Sequence, residues 1–328
     1  MLRDKYGRAI TDLRISVTDR CNYKCVYCRT GNFGAQFADL PMADYLRMAR
    51  VFVSLGIEKI RITGGEPLLR NGVVEFVREL SKLRTTSGET LDLAITTNGH
   101  LLAEMAQPLV DAGLRRVTIS VDAMEPEKFS RITRVPGSYE AVMAGMRAAK
   151  AAGLSPIKVN CVLLRGFNDD QIVAFGKFAR EEGVVVRFIE FMPLEEDRVW
   201  SPGIVVTLKE ILGKLNEYMP LREIERAPSE TARRFVFEDG VGEIGIIAPV
   251  SEPFCGHCSR ARITSDGKIR TCLFSVVEHD LYGRMRSGVS DDDMRSFITG
   301  VVNQKEERHH IGEPDFMPAS RTMVHIGG

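Results

Sequence analysis

The stretch Asp12-Leu-Arg-Ile-Ser-Val-Thr-Asp-Arg-Cys21-Asn-Tyr-Lys-Cys25-Val-Tyr-Cys28 joins two readable signals. Its first part alternates apolar Leu13, Ile15 and Val17 with polar Arg14, Ser16 and Thr18. That period of two predicts a strand over 13–18. Its second part is a C-x3-C-x2-C run on the loop that follows. Three thiolates on one loop suit three irons of a [4Fe–4S] cluster and leave the fourth iron for a non-protein ligand. A structural zinc site needs four closed ligands, and no fourth Cys or His follows within this loop.

Similar short runs recur over 59–63, 91–97, 116–121, 156–162 and 184–191. Helix-period segments separate them over 42–55, 73–83, 101–112, 139–152 and 171–182, with Gly56, Gly113, Gly153 and Gly183 as stop signals. Alternating strand and helix predicts an α/β fold with a parallel sheet or barrel. Six strands fall short of a closed eight-stranded barrel, so residues 1–220 are expected to form a partial six-stranded (βα)6 barrel. Beyond Pro220 the pattern changes. Residues 233–237 and 243–247 predict a hairpin, as do 260–264 and 268–271 around Ser265-Asp266-Gly267. Short helices are expected over 280–286 and 291–302. Residues 221–328 are therefore read as a C-terminal α+β layer closing the barrel mouth, with 304–321 mobile because that stretch is polar and rich in Pro, Gly and His.

The strand parity carries a second message. The apolar positions must meet the helices, so Arg14, Lys59, Arg61, Thr96, Asn98, Thr118, Ser120, Lys158, Asn160 and Arg187 face inward. A filled barrel interior would be Val, Ile and Leu. Inward cations without counter-anions each cost about several kcal/mol, so the interior reads as a wet, cationic cavity for an anionic ligand.

The chain has 328 residues and a formal net charge of zero. A general basic surface for nucleic acid is not indicated. No run reaches 18 apolar residues and no signal-peptide core is seen near the start, so a cytoplasmic protein without membrane spans is expected. Of seven cysteines, six fall in two tight groups and read as metal ligands in a reducing compartment. Cys161 sits in an apolar run and reads as core.

The second group is Cys255-Gly-His-Cys258, then thirteen residues spanning the second predicted hairpin, then Cys272. His257 is the one nearby candidate for a fourth zinc ligand, and its place inside the C-x2-C loop is awkward. Arg260 and Arg262 follow on one strand face. Gly64-Gly65-Glu66-Pro67 follows the second strand, where glycine lets backbone approach a ligand closely. Gly240-Val-Gly-Glu-Ile-Gly245 matches a dinucleotide fingerprint but precedes a strand, so it reads as a hairpin turn. His309-His310 reads as a pair of solvated side chains, and no P-loop motif is present.

The first cysteine run resembles that of the radical S-adenosylmethionine superfamily. The whole set of motifs resembles one family within it, the molybdenum cofactor biosynthesis protein A family of GTP 3′,8-cyclases. The motifs are the opening stretch through Cys28, Arg61–Arg70, Thr97-Asn-Gly99, Ile119-Ser-Val-Asp122, Arg187–Pro193, the second cysteine set with its Arg-x-Arg, and Ile326-Gly327-Gly328. The resemblance implies a first [4Fe–4S] cluster on Cys21, Cys25 and Cys28 and a second on Cys255, Cys258 and Cys272. It implies S-adenosylmethionine contacts from Tyr27, Gly65, Glu66, Asn98, Ser120 and Met192. It implies GTP contacts from Arg14, Lys59, Arg61, Thr96, Lys158, Arg187, Arg260, Ala261 and Arg262. Arg260, Arg262 and the Gly327-Gly328 tail would act on the reacting nucleotide. The implied reaction removes hydrogen from ribose C3′ of GTP, joins C3′ to guanine C8 and gives 3′,8-cyclo-7,8-dihydro-GTP. The implied partners are an external electron donor and cyclic pyranopterin monophosphate synthase, which takes the product. Homodimerisation is left open. Another radical enzyme with an auxiliary cluster would tend to carry more C-terminal cysteines, and a simple electron carrier needs neither inward cations nor Gly-Gly-Glu-Pro.

Overall fold

The computed structural model describes residues 1–28, 35–227, 229–314 and 316–327. The chain opens with β1 (Asp12–Ser16), α1 (Met42–Ser54), β2 (Lys59–Thr63), α2 (Val73–Ser81), β3 (Asp92–Thr97), α3 (Leu102–Asp111) and β4 (Arg116–Ser120). It continues with α4 (Pro126–Thr133), α5 (Ser138–Ala151), β5 (Ile157–Leu163), α6 (Ile172–Glu182) and β6 (Val185–Glu190). The later elements are α7 (Leu208–Tyr218), β7 (Leu221–Ile224), β8 (Arg233–Phe237), β9 (Glu243–Ile247), β10 (Arg260–Ile263), β11 (Lys268–Arg270) and β12 (His279–Asp280). Helices α8 (Leu281–Arg286), α9 (Asp291–Asn303) and α10 (Met323–Ile326) complete the chain.

Among the described residues, twelve strands form one mixed sheet in the order β12-β11-β10-β1-β2-β3-β4-β5-β6-β9-β8-β7. The sheet is not closed. Strands β1 to β6 run parallel in sequence order. The expected count of six parallel strands is corrected here, because β10 adds parallel to β1 and β9 adds parallel to β6. Both added strands also pair antiparallel with a sequence neighbour, β10 with β11 and β9 with β8. Sequence reveals that local hairpin partner. The partner on the other side is remote in the chain and leaves no local signal. The C-terminal segment thus extends both edges of the sheet instead of only covering its mouth.

Helices pack on the apolar strand face. Leu13, Ile15, Ile60, Ile62, Ile119, Val159 and Phe188 are fully buried there. In α1, Tyr45, Met48, Ala49 and Phe52 recur at helical spacing and are buried. The helix α7 was not anticipated, although Thr207 and Glu210 form a capping box that marks its start. The helix α4 was also not anticipated; it begins with Pro126 in its first turn. Within 304–321, the stretch expected to be mobile, Lys305 and Ile311 are nonetheless buried, at 3% and 9% exposed. Among the described residues no helix is long and apolar enough to cross a membrane.

Phe188 of β6 meets Phe175 of α6 edge to face, with centroids 5.7 Å apart, and both are fully buried. Phe188→Ala should cost about 3–5 kcal/mol of stability, measured by urea denaturation. A loss below about 1 kcal/mol would mean that this sheet–helix contact is not part of the core.

Candidate functional site

Parallel register aligns inward side chains of neighbouring strands in rows. The first row reads Arg260, Asp12, Lys59, Asp92 across β10, β1, β2 and β3, so its charges alternate. Asp12 pairs with Lys59 at 3.1 Å, and Asp92 pairs with Arg116. The second row reads Arg262, Arg14, Arg61, Ala94. Three guanidinium groups therefore stand side by side. On the other wall, Lys158 of β5 faces Thr118 of β4, and Arg187 of β6 faces Asn160.

These cations line one cavity of about 450 Å³. Among the described residues, no carboxylate forms an ion pair with Arg14, Arg61, Lys158, Arg187 or Arg262. Their partners are neutral where they have them. Arg61 donates to Thr96 and Thr118 hydroxyls at 3.1 and 3.0 Å. Arg187 donates to Asn160 Oδ1 at 2.9 Å and Thr118 Oγ1 at 3.2 Å. Arg14 Nε is buried without a partner. Burial, with repulsion from Arg61 and Arg260, pushes Arg14 down to about 10 despite Asp12. Burial likewise lowers Arg187 to about 9 and Lys158 to about 8, with neighbouring arginines adding to both. Guanidinium groups keep their protons, so an anion relieves this repulsion where proton loss cannot. Gly245 makes room for the wall, since a Cβ there would lie 2.9 Å from Arg187 Cγ.

Cys255, Cys258 and Cys272 line the same cavity. Arg260 donates Nε and Nη2 to Cys258 Sγ at 3.4 and 3.3 Å. Burial alone would raise the Cys258 thiol, but Arg260 and Lys305 bring it down to about 6. Cys21, Cys25 and Cys28 line a second chamber of about 170 Å³, with Tyr27, Gly65, Asn98 and Ser120. Thr96, Asn160, Ile189, Met192 and Met323 line both chambers, so the two meet there. Among the described residues, no three His, Cys, Asp or Glu side chains converge on a single metal position.

Local packing explains the second chamber. A Cβ at Gly65 would lie 2.3 Å from the Arg20 carbonyl oxygen, so only glycine lets this turn press against the cysteine loop. Glu66 is fully buried and its carboxylate is fully engaged. It accepts from Leu68 N, Thr97 Oγ1 and Asn98 N at 2.9, 2.7 and 2.6 Å. Burial still lifts it to about 7 against those donors. Asn98 donates through Nδ2 to Asn22 Oδ1 at 2.7 Å, tying β3 to the cysteine loop. The Tyr27 hydroxyl donates to Asp122 Oδ2 at 2.7 Å, and Val162 N holds Oδ1 at 2.9 Å.

Gly327 packs close to β1 and β2, beside the arginine row. Gly327 has φ +82°, and a Cβ there would lie 2.6 Å from Thr63 Oγ1 and 2.8 Å from Ser16 Cβ. Ser16 and Thr63 are register partners one step beyond the arginine row. Arg262 donates to the Gly327 carbonyl at 2.5 Å. Gly328 lies outside the described residues. Ala261 is buried in the hydrophobic core between its two inward neighbours.

The lining also includes Arg116, Lys305, His309 and Met323, which sequence does not assign to the cavity. Arg116 follows from parity, two positions before Thr118. Lys305, His309 and Met323 had no such signal. His309 corrects the expectation of a solvated pair. It lines the cavity edge-on to Phe274, 5.1 Å between centroids, and burial lowers it to about 4. His310 is exposed as expected.

A Radical SAM superfamily model matches residues 15–179, and a Molybdenum Cofactor Synthesis C model matches 184–311. The chain is 42% identical over 320 residues to a GTP 3′,8-cyclase of Acidothermus cellulolyticus, covering 94% of this chain and 87% of that protein. It is 41% identical to one of Peptoclostridium acidaminophilum, covering 100% and 98%. In fold it resembles Streptococcus suis SuiB bound to S-adenosylmethionine, with a TM-score of 0.61 at 12% identity over 95% of this chain and 77% of that one.

Lys158 sits near 8 in the folded chain against its ordinary 10.5. Between those values the unfolded state binds more protons, so this residue makes stability rise with pH. The rise should span pH 8 to 10.5 and disappear in Lys158→Met. Urea midpoints of both proteins at several pH values check this; parallel profiles would refute it.

Proposed function

Since the chain belongs to the GTP 3′,8-cyclase family of the radical S-adenosylmethionine superfamily, it converts GTP to 3′,8-cyclo-7,8-dihydro-GTP in the first step of molybdenum cofactor biosynthesis, and we propose how its residues share that work. The observation that carries the assignment of the cavity is the set of five inward cations without carboxylate partners. Arg14, Arg61 and Arg262 would bind the triphosphate from one wall, and Lys158 and Arg187 from the other. Charge-assisted contacts of this kind suit phosphate oxygens. Lys59, Thr96, Arg260 and the Ala261 backbone would complete the nucleotide contacts.

Cys21, Cys25 and Cys28 would hold the first [4Fe–4S] cluster, and Cys255, Cys258 and Cys272 a second. The donor chemistry fits: three sulfurs line each chamber, and Arg260 already donates two N–H groups to Cys258. Tyr27, Gly65, Asn98, Ser120 and Met192 would cradle S-adenosylmethionine. Glu66 would act by holding the Gly65 turn and Asn98 in place. When bound, the first cluster and S-adenosylmethionine supply the radical that takes hydrogen from ribose C3′. The residues of the chain then fix position. The arginine row anchors the phosphates, the walls restrain the ribose near the junction of the chambers, and the second cysteine set faces the base. Arg262 would hold Gly327, and with Gly328 the tail would exclude water and confine the nucleotide to its reacting geometry.

Residues 1–220 would supply the radical-generating partial barrel built on β1 to β6 and most of the nucleotide contacts, and 221–328 the auxiliary-cluster layer with its Gly-Gly tail. An external donor would supply electrons in the cytoplasm, and cyclic pyranopterin monophosphate synthase would take the product.

Arg61→Ala, Lys158→Ala and Arg187→Ala should each weaken GTP binding by about 1.5–3 kcal/mol, the scale for hydrogen bonds to charged groups. S-adenosylmethionine affinity should stay nearly constant, as calorimetry under anaerobic conditions can show. Equal losses for both ligands would place these side chains elsewhere in the function. Iron analysis tests the two cysteine sets. Replacing either with Ala should reduce iron from about eight to about four per chain. Only loss of the first set should abolish 5′-deoxyadenosine release with dithionite, and iron unchanged in either variant would sink the two-cluster reading.

A further inference from the structure

Lys305 is 3% exposed, yet no described carboxylate lies within ion-pair distance of it. Its ammonium donates to two backbone carbonyls, that of Arg260 at 3.1 Å and that of Thr271. Those carbonyls are informative. Arg260 stands two residues after Cys258, and Thr271 directly precedes Cys272. Lys305 therefore bolts together the two chain segments that carry these cysteines, and it lines the same cavity.

Its neighbours extend the clamp. Glu306 accepts from Thr271 Oγ1 at 2.7 Å and Ser275 Oγ at 2.5 Å, so its carboxylate is turned to hydroxyl groups. Arg8, 9% exposed and paired with Asp4 at 2.6 Å, donates to the carbonyls of Cys255, Glu306 and Glu307 at 2.9, 2.6 and 2.6 Å. All three cysteine-bearing segments are thus fastened to residues 305–307.

A buried ammonium held only by neutral carbonyls is costly unless an anion lies close. Thiolates become obligatory anions once they ligate metal. We propose that Lys305 is the built-in countercharge of the second cysteine set, a positioning residue that holds Cys258 and Cys272 together and favours the more negative, reduced form of the group they carry. The inference rests on reading Cys255, Cys258 and Cys272 as cluster ligands. One-electron reduction by dithionite adds one negative charge to that cluster, and a buried positive charge beside it makes the addition easier. Removing the charge makes it harder.

The test uses the full chain with Cys21, Cys25 and Cys28 changed to Ala, so that only the second set can hold iron. Lys305→Met, Lys305→Gln and Lys305→Arg are added separately. Each protein is reconstituted anaerobically, its iron is counted, and its midpoint potential is followed by electron paramagnetic resonance. Lys305→Met and Lys305→Gln should disfavour reduction at least tenfold, a shift of about 59 mV to more negative potential for one electron. Lys305→Arg should stay near the parent. Loss of iron in the Met and Gln proteins with retention in the Arg protein would equally support the countercharge. Unchanged iron and potential in Lys305→Met would overturn it, and so would Arg behaving like Met. If the parent with Lys305 intact binds no iron, the two-cluster reading itself fails, which is a separate result.

Discussion

Repulsion among Arg262, Arg14 and Arg61 is the constraint on which the site depends. Three inward guanidinium groups occupy one register row across three parallel strands. Among the described residues no carboxylate forms an ion pair with that row, although Asp12 offsets part of the repulsion, and the opposite wall adds Lys158 and Arg187. Such an interior is poor for stability and well suited to a polyanion. The helix-facing side compensates for it, with an unbroken apolar face from Leu13 to Phe188. Because strand residues alternate, each strand can carry both duties at once.

The row also explains why the C-terminal segment must join the same sheet. Strand β10 supplies Arg262 only because it adds in register beside β1. Strand β9 supplies Gly245, whose lack of a side chain leaves space for Arg187. The second cysteine set follows from the same placement, since Cys258 lies just before β10 and Cys272 just after β11. A separate layer packed over the mouth would not set these groups in line with Arg14 and Arg61. The second cysteine set and the inward cations are thereby built on one continuous hydrogen-bonded sheet.

Neutral residues have their own place in the frame. Ser16 and Thr63 form the next row, and Gly327 rests against them. A charged row there would have met the incoming backbone with unsatisfied groups. The tail carbonyl instead accepts from Arg262. Arg262 consequently ties the Gly327 backbone to the arginine row.

Much of this was legible in the residues themselves. Period-two alternation marked the inward cations because side-chain direction along a strand depends only on parity. Cysteine spacing marked two groups of thiols, and the structure sets each group in one chamber. The Gly240–Gly245 decoy could be dismissed because a strand follows it. Parity also places Arg116 on the inward face, two positions before Thr118 in the same strand. What tertiary structure alone decided were the relations between distant segments. Strands β9 and β10 find their parallel partners across the chain, and pairing of that kind carries no local period. Lys305, Arg8 and His309 lie in segments without regular alternation, so nothing in their neighbours shows which way they point. Their roles arise from burial against partners hundreds or tens of residues away. Sequence thus determined the chemistry available and the face on which most of it lies, while the fold decided which groups stand close enough to act on one another.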